Sequence, residues 1–311
     1  MDISDNNIQS PGGVSSLGAA VVVFLLALLG TLFGSIIGMA ICIPFYSGSV
    51  LDLSEAMANP QGNEGMKSIL FFSQGFGSAF GMIFIPMAYL KVTQKRGIDV
   101  FFQKPIGWLP LVLTAFTVIS FMVVNSLFIE WNANFQFPEF MSGFESWARA
   151  KEDHLAEITT YLTDFKNVGD FVMAFIVIAI IAPIGEELVF RGFIQTHLHK
   201  FSKNIHVAIW VSAILFSAIH MQFFGFIPRL LLGALFGYLY HWSGNLIVPM
   251  IAHFVNNGFT LVLVIMAKRE AIPYDIENTE SLPLSTVLIF AIITTGLLFY
   301  FRNHFYRSQV K

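Results

Sequence analysis

From Asn6 to Leu51 the chain carries no charged residue, and about 20 consecutive apolar residues already suffice to cross the hydrocarbon core of a bilayer. The pattern therefore predicts a first membrane span within Val14–Tyr46. The same reading places further spans near Ser68–Leu90, Ile106–Ile129, Phe171–His197, Ile205–His220, Phe226–Trp242, Leu246–Ala267 and Leu284–Phe301. These are long apolar runs, not short alternating ones, so the expected fold is all-α: a polytopic transmembrane helix bundle of about eight spans, with residues 1–311 forming a single integral-membrane domain. The start of the chain is acidic and its apolar run is too long for a cleavable leader, so the first span is expected to be retained.

One stretch breaks the pattern. Within Glu130–Asp170, the residues Phe140, Phe144, Trp147, Leu155, Ile158, Tyr161, Leu162 and Phe165 recur at helical spacing among Glu, Asp and Lys. That spacing predicts an amphipathic helix on the membrane surface, either a cap packed on the bundle or a gate over a route for substrate. Small residues at four-residue steps, Gly30-Gly34-Gly38, Gly77-Gly81 and Gly233-Gly237, predict close helix contacts.

Charge then orients the bundle. Lys91, Lys95, Arg96 and Lys104 follow the second span, Lys200 and Lys203 the fourth, and Arg302, Arg307 and Lys311 form the tail. With eight spans these fall on one side, opposite the acidic loops Asp52–Glu64 and Glu130–Asp170, so both termini are expected in the cytoplasm. A bacterial inner (cell) membrane suits this bias.

Only 12% of residues are charged and 55% are hydrophobic, against roughly 25% charged in soluble domains, which excludes a soluble enzyme. The one cysteine, Cys42, excludes a disulfide framework and Cys-rich metal sites. A net charge of −3 without a basic cluster argues against nucleic acid as a partner. The bilayer itself and a membrane-associated peptide or lipidated protein are the expected partners.

Ionisable groups inside spans are expensive and ask for a purpose. The fourth span carries Glu186, Glu187 and Arg191. Glu187 and Arg191 are four apart, share a face and can pair. Glu186 is turned about 100° away, and without a counter-ion on its own helix it is suited to shuttle a proton. The fifth span offers Phe216 and His220 on one face; the seventh offers His253 and Asn257 on one face, with Asn256 expected to point elsewhere. His197, His199, His206 and His241 fall near span ends and are expected to be interfacial. Taken from the predicted span ends at about 1.5 Å per residue, Glu186 and His220 would differ in depth by about 16 Å in a core of roughly 30 Å.

Glu186-Glu187-x-x-x-Arg191, Phe216-x-x-x-His220 and His253-x-x-x-Asn257, the last preceded by the run Gly244–Pro249, lie in order on successive apolar segments. This set resembles the intramembrane CAAX-protease and bacteriocin-processing family (CPBP, or Abi), over about Val172–Val264; the motif-bearing core lies within about 171–267. The resemblance implies an intramembrane endopeptidase acting on a membrane-associated or prenylated protein or peptide. It implies that Glu186 and His220 activate water, that His253 and Asn257 hold the oxyanion, and that Glu187 and Arg191 support them. Phe216 is expected to pack beneath the site.

No cofactor is expected, since the helix signature His-Glu-x-x-His is absent and a Glu187 paired with Arg191 is a poor ligand. A zinc-dependent version stays open, because Glu186, Glu187, His220 and His253 are all competent zinc ligands. Two other classes compete: an ion-coupled transporter, since Glu, His and Arg also mark ion paths, and a non-catalytic membrane peptide-binding or immunity protein. The first half lacks a second Glu-Glu-x-x-x-Arg, which counts against paired transporter halves.

Overall fold

The computed structural model describes residues 15–310 apart from 47, 62, 64, 103 and 273–277. Val14, Glu64 and Lys311, used in the sequence reading, lie outside them. The described chain is a helical bundle without strands. Its main helices are α1 (Ser16–Cys42), α2 (Met66–Gln94), α3 (Trp108–Ala133), α4 (Ser142–Thr163), α5 (Val168–Ser202), α6 (Ile205–Ala218), α7 (Phe226–Ser243), α8 (Ile247–Lys268) and α9 (Leu284–Val310). Every predicted span is thus a helix. Six of them, α1, α2, α3, α5, α8 and α9, are long and apolar enough to cross a membrane. Their outer faces expose Leu29, Leu32, Ile292 and Phe299, each more than 60% accessible, a surface that suits lipid and not water. This is an integral membrane protein.

Polar side chains set several helix starts. Ser15 accepts the Gly18 N–H at the head of α1, Asn167 the Asp170 N–H at the head of α5, and Asn204 the His206 and Val207 N–H groups at the head of α6. The glycine stripes seat α1 on α2: a Cβ on Gly81 would collide with the backbone of Thr31, and one on Gly38 with the Phe72 carbonyl. Gly185 brings α5 equally close to α2, where a Cβ would lie 2.7 Å from the Cβ of Met82. Around the carboxylate pair α5 is widened into i→i+5 turns, over Phe175–Ile181 and Leu188–Gln195, a distortion common near functional sites.

The α6–α7 hairpin departs from expectation. α6 has 14 residues, about 21 Å, too short for a core of roughly 30 Å, whereas α5 has 35 residues, about 52 Å, and overshoots one. Counted from the α5–α6 turn, Glu186 lies 16 residues before Ser202 and His220 lies 15 residues after Ile205. The expected depth gap of about 16 Å therefore disappears, because it assumed a fourth span no longer than the hydrocarbon.

The amphipathic segment is α4, and it caps the bundle. Phe144 meets Phe223 edge to face and Trp147 lies tilted against it, with ring centroids 5.0 and 5.8 Å apart. Arg149 lies 4.1 Å over the Phe224 ring, and Glu152 Oε2 accepts the Phe224 N–H at 3.1 Å. Ile158, Tyr161 and Leu162 join Phe71, Ala174 and Val177 in an apolar cluster. Lys268, at the end of α8, donates to the Thr163 carbonyl.

Candidate active site

The site is assembled from α5 outward. Glu187 has no accessible surface and Arg191 is 1% exposed. Arg191 Nη1 donates to Glu187 Oε1 at 2.7 Å, and Nη2 donates to the Gly233 carbonyl of α7 at 2.8 Å. The guanidinium also lies 4.7 Å over Phe216 and 5.5 Å from the Phe236 centroid. Glu187 Oε1 accepts a second bond, from His253 Nδ1 at 2.8 Å. A carboxylate facing Nδ1 requires the proton on that nitrogen, so Arg191 and Glu187 together set the orientation of His253. Its other nitrogen, Nε2, then lies 3.8 Å from Glu186 Oε2. Phe236 and Phe216 flank the imidazole, with centroids 5.2 and 5.8 Å away.

His220 sits just past the end of α6. Its Nδ1 is 2.9 Å from the Phe216 carbonyl, and a carbonyl only accepts, so Nδ1 bears the proton and Nε2 keeps its lone pair. Asn257 donates Nδ2 to the Ile178 carbonyl at 2.9 Å, and Asn256 Nδ2 donates to Asn257 Oδ1 at 3.1 Å. Glu186, Phe216, His220, His253, Asn256 and Asn257 all line one cavity of about 900 Å³. Asn256 therefore faces the site, contrary to expectation, because its bond to Asn257 turns it toward the same space. Two other expectations change as well: His197 and His199, read as interfacial, are buried at 0% and 5% exposure, since α5 continues past them to Ser202.

Several polar cavity residues escaped the sequence reading, among them Gln74 of α2, Asn125 of α3, Arg229 of α7 and Glu280. Asn125 donates to the Pro228 carbonyl at 3.2 Å. An Asn or Gln in an apolar run carries little signal by itself, but a charge one turn inside a span, as at Arg229, is the kind of signal that could have been followed.

Glu187 Oε1 already receives two donors. Among the described residues no group of three or more His, Cys, Asp or Glu is arranged to hold a metal ion.

The site-bearing segment also has relatives. Residues 168–259 match the family described as type II CAAX prenyl endopeptidase Rce1-like. The site-bearing segment is related to CAAX-type intramembrane proteases. The chain is similar to the membrane-embedded CAAX protease MroQ of Staphylococcus aureus (strain USA300), at 34% identity over 95 residues, which is 29% of this chain and 38% of that protein. It is also similar to the uncharacterized protein YpbD of Bacillus subtilis (strain 168), at 33% identity over 84 residues, which is 26% of this chain and 40% of that protein. The matches thus span about two fifths of each curated relative. No solved structure matches. Glu186, Glu187, Arg191, Phe216, His220, His253 and Asn257 all fall inside the matched segment.

Proposed function

We propose that this chain is an intramembrane endopeptidase that hydrolyses a peptide bond of a membrane-associated or prenylated peptide with water activated by Glu186 and His220. The observation that carries the reading is the fixed tautomer of His220: its Nδ1–H is held by the Phe216 carbonyl, and its Nε2 lone pair is left on the cavity that Glu186 lines. A water between the two loses a proton to them as its oxygen attacks the scissile carbonyl. The carbonyl becomes a tetrahedral oxyanion, and the captured proton passes to the departing amine as the C–N bond breaks.

The oxyanion is received by the second amide N–H of Asn257 and by His253. With Nδ1–H committed to Glu187, His253 donates from Nε2 only when both nitrogens are protonated. The Glu187–Arg191 pair holds that ring in place. The Lys/Arg-rich end of the bundle faces the cytoplasm of a bacterial cell, and the α4 cap faces outward.

Purified protein in detergent should cleave a farnesylated, internally quenched peptide. Glu186→Gln should abolish cleavage, since an amide keeps the shape but takes no proton from water, and His220→Ala should be comparably inactive. Retained cleavage by the folded Glu186→Gln variant would refute the mechanism.

A further inference from the structure

Arg229 lines the same cavity, and no step above uses it. It stands near the start of α7 and shares a cavity-facing side with Leu232 and Phe236. Gln222 Oε1 accepts from its Nη2 at 2.6 Å and anchors one edge of the guanidinium. The other terminal nitrogen, Nη1, is buried with no hydrogen-bond partner in the protein. Among the described residues no carboxylate forms an ion pair with Arg229. Glu152 reaches down from α4 to the same corner beside Gly225, where its Oε1 approaches the guanidinium without a hydrogen bond while its Oε2 accepts the Phe224 N–H. Glu152 and Glu186 act on the guanidinium through space, but its Nη1 hydrogens are left unsatisfied, and a buried polar group left unpaired is costly, so the arrangement is suited to a ligand that brings an acceptor anion.

We propose that Arg229 receives a carboxylate of the substrate peptide and so sets where along the peptide the cut falls. A guanidinium recognises a carboxylate through a planar fork that ammonium and amide groups lack. Arg229 is the one Arg or Lys among the described residues lining the cavity, so a single anion is expected. Its distance from the hydrolytic groups also fits a peptide. Phe236, seven residues on, stacks against His253, and seven residues of α7 span about 10 Å. An extended chain covers about 10 Å in three residues, which puts the carboxylate two to four residues from the scissile bond. It comes either from the end of the peptide chain or from an Asp or Glu side chain. The position along the substrate rests on the peptidase reading; recognition of the carboxylate does not.

Three farnesylated, quenched peptides separate these cases: one ending in a free carboxylate, its C-terminal amide, and the amide with glutamate as last residue. The wild type should prefer the free acid over the plain amide at least tenfold in kcat/KM, mostly through KM. Arg229→Gln should bring that ratio near one, and Arg229→Lys should restore part of it, with melting temperatures of all three proteins checked alongside. Recovery of cleavage by the glutamate amide would assign the side-chain source. A wild type indifferent to both carboxylates, or an Arg229→Gln variant that keeps the preference, would overturn the proposal. If no peptide is cleaved, the peptidase reading falls and fluorescence anisotropy of the same peptides decides the matter: tighter acid than amide binding, lost in Arg229→Gln, sustains the Arg229 site, and equal binding overturns it.

Discussion

Removing the Arg191 guanidinium should cost this protein more than removing the charge it is proposed to use in catalysis. Arg191→Ala deletes the 2.7 Å bond to Glu187, the 2.8 Å bond to the Gly233 carbonyl and the contact with the Phe216 ring. It leaves Glu187 with no accessible surface and with His253 as its remaining partner. Breaking a buried pair from one side costs about 3–5 kcal/mol. At about 2–4 °C per kcal/mol, that is a fall in melting temperature of about 6–20 °C. Glu186→Gln should stay within about 1 kcal/mol, because the amide has the same shape and Glu186 Oε2 makes no hydrogen bond within the protein that could be lost.

Cys42 supplies the assay. It is the chain's one cysteine and is packed against Leu53, Ala56 and Met66, so a thiol-reactive fluorophore reports opening of the bundle during a thermal ramp. A cycle of Arg191→Met, Glu187→Gln and the double variant isolates the pair, and the double variant should melt above Arg191→Met. Equal melting of Arg191→Ala and Glu186→Gln, or strict additivity in the cycle, would mean that Arg191 is not a buried partner of Glu187.

Elemental analysis of active protein should find well under one zinc per chain, and a chelator should leave cleavage unchanged; stoichiometric zinc lost together with activity would replace the water mechanism with a metal one. Gly81→Ala should lower the melting temperature by the equivalent of about 1–3 kcal/mol, because the new methyl meets backbone atoms of Thr31 and Ala27 as well as the Thr31 hydroxyl; unchanged melting would show that α1 and α2 can part without loss.

Local spacing carried much of this structure. Four-residue steps put Glu187 and Arg191 on one face, and they are paired; each apolar run became a helix. What spacing could not carry was set by contacts between helices. The bond from His253 to Glu187 joins α8 to α5, and nothing near either residue announces it. Arg229 stands close to a span end, and only the short α6, together with α4 folded over the turn that follows it, puts that end inside the protein. The depth of Glu186 was misjudged for a related reason: hydropathy marks where a chain is apolar, and says little about how far a helix runs on beyond the lipid.

The short α6–α7 hairpin also bears on sidedness. It leaves the Lys/Arg-rich end and returns to it, so it contributes no net crossing, whether its two arms are counted as spans or not. Six long helices and eight predicted spans are both even numbers, so the parity argument from basic loops is indifferent to this element. Lengthening or shortening the hairpin can therefore move His220 and Arg229 toward or away from the α5 carboxylates without inverting any other part of the chain in the membrane.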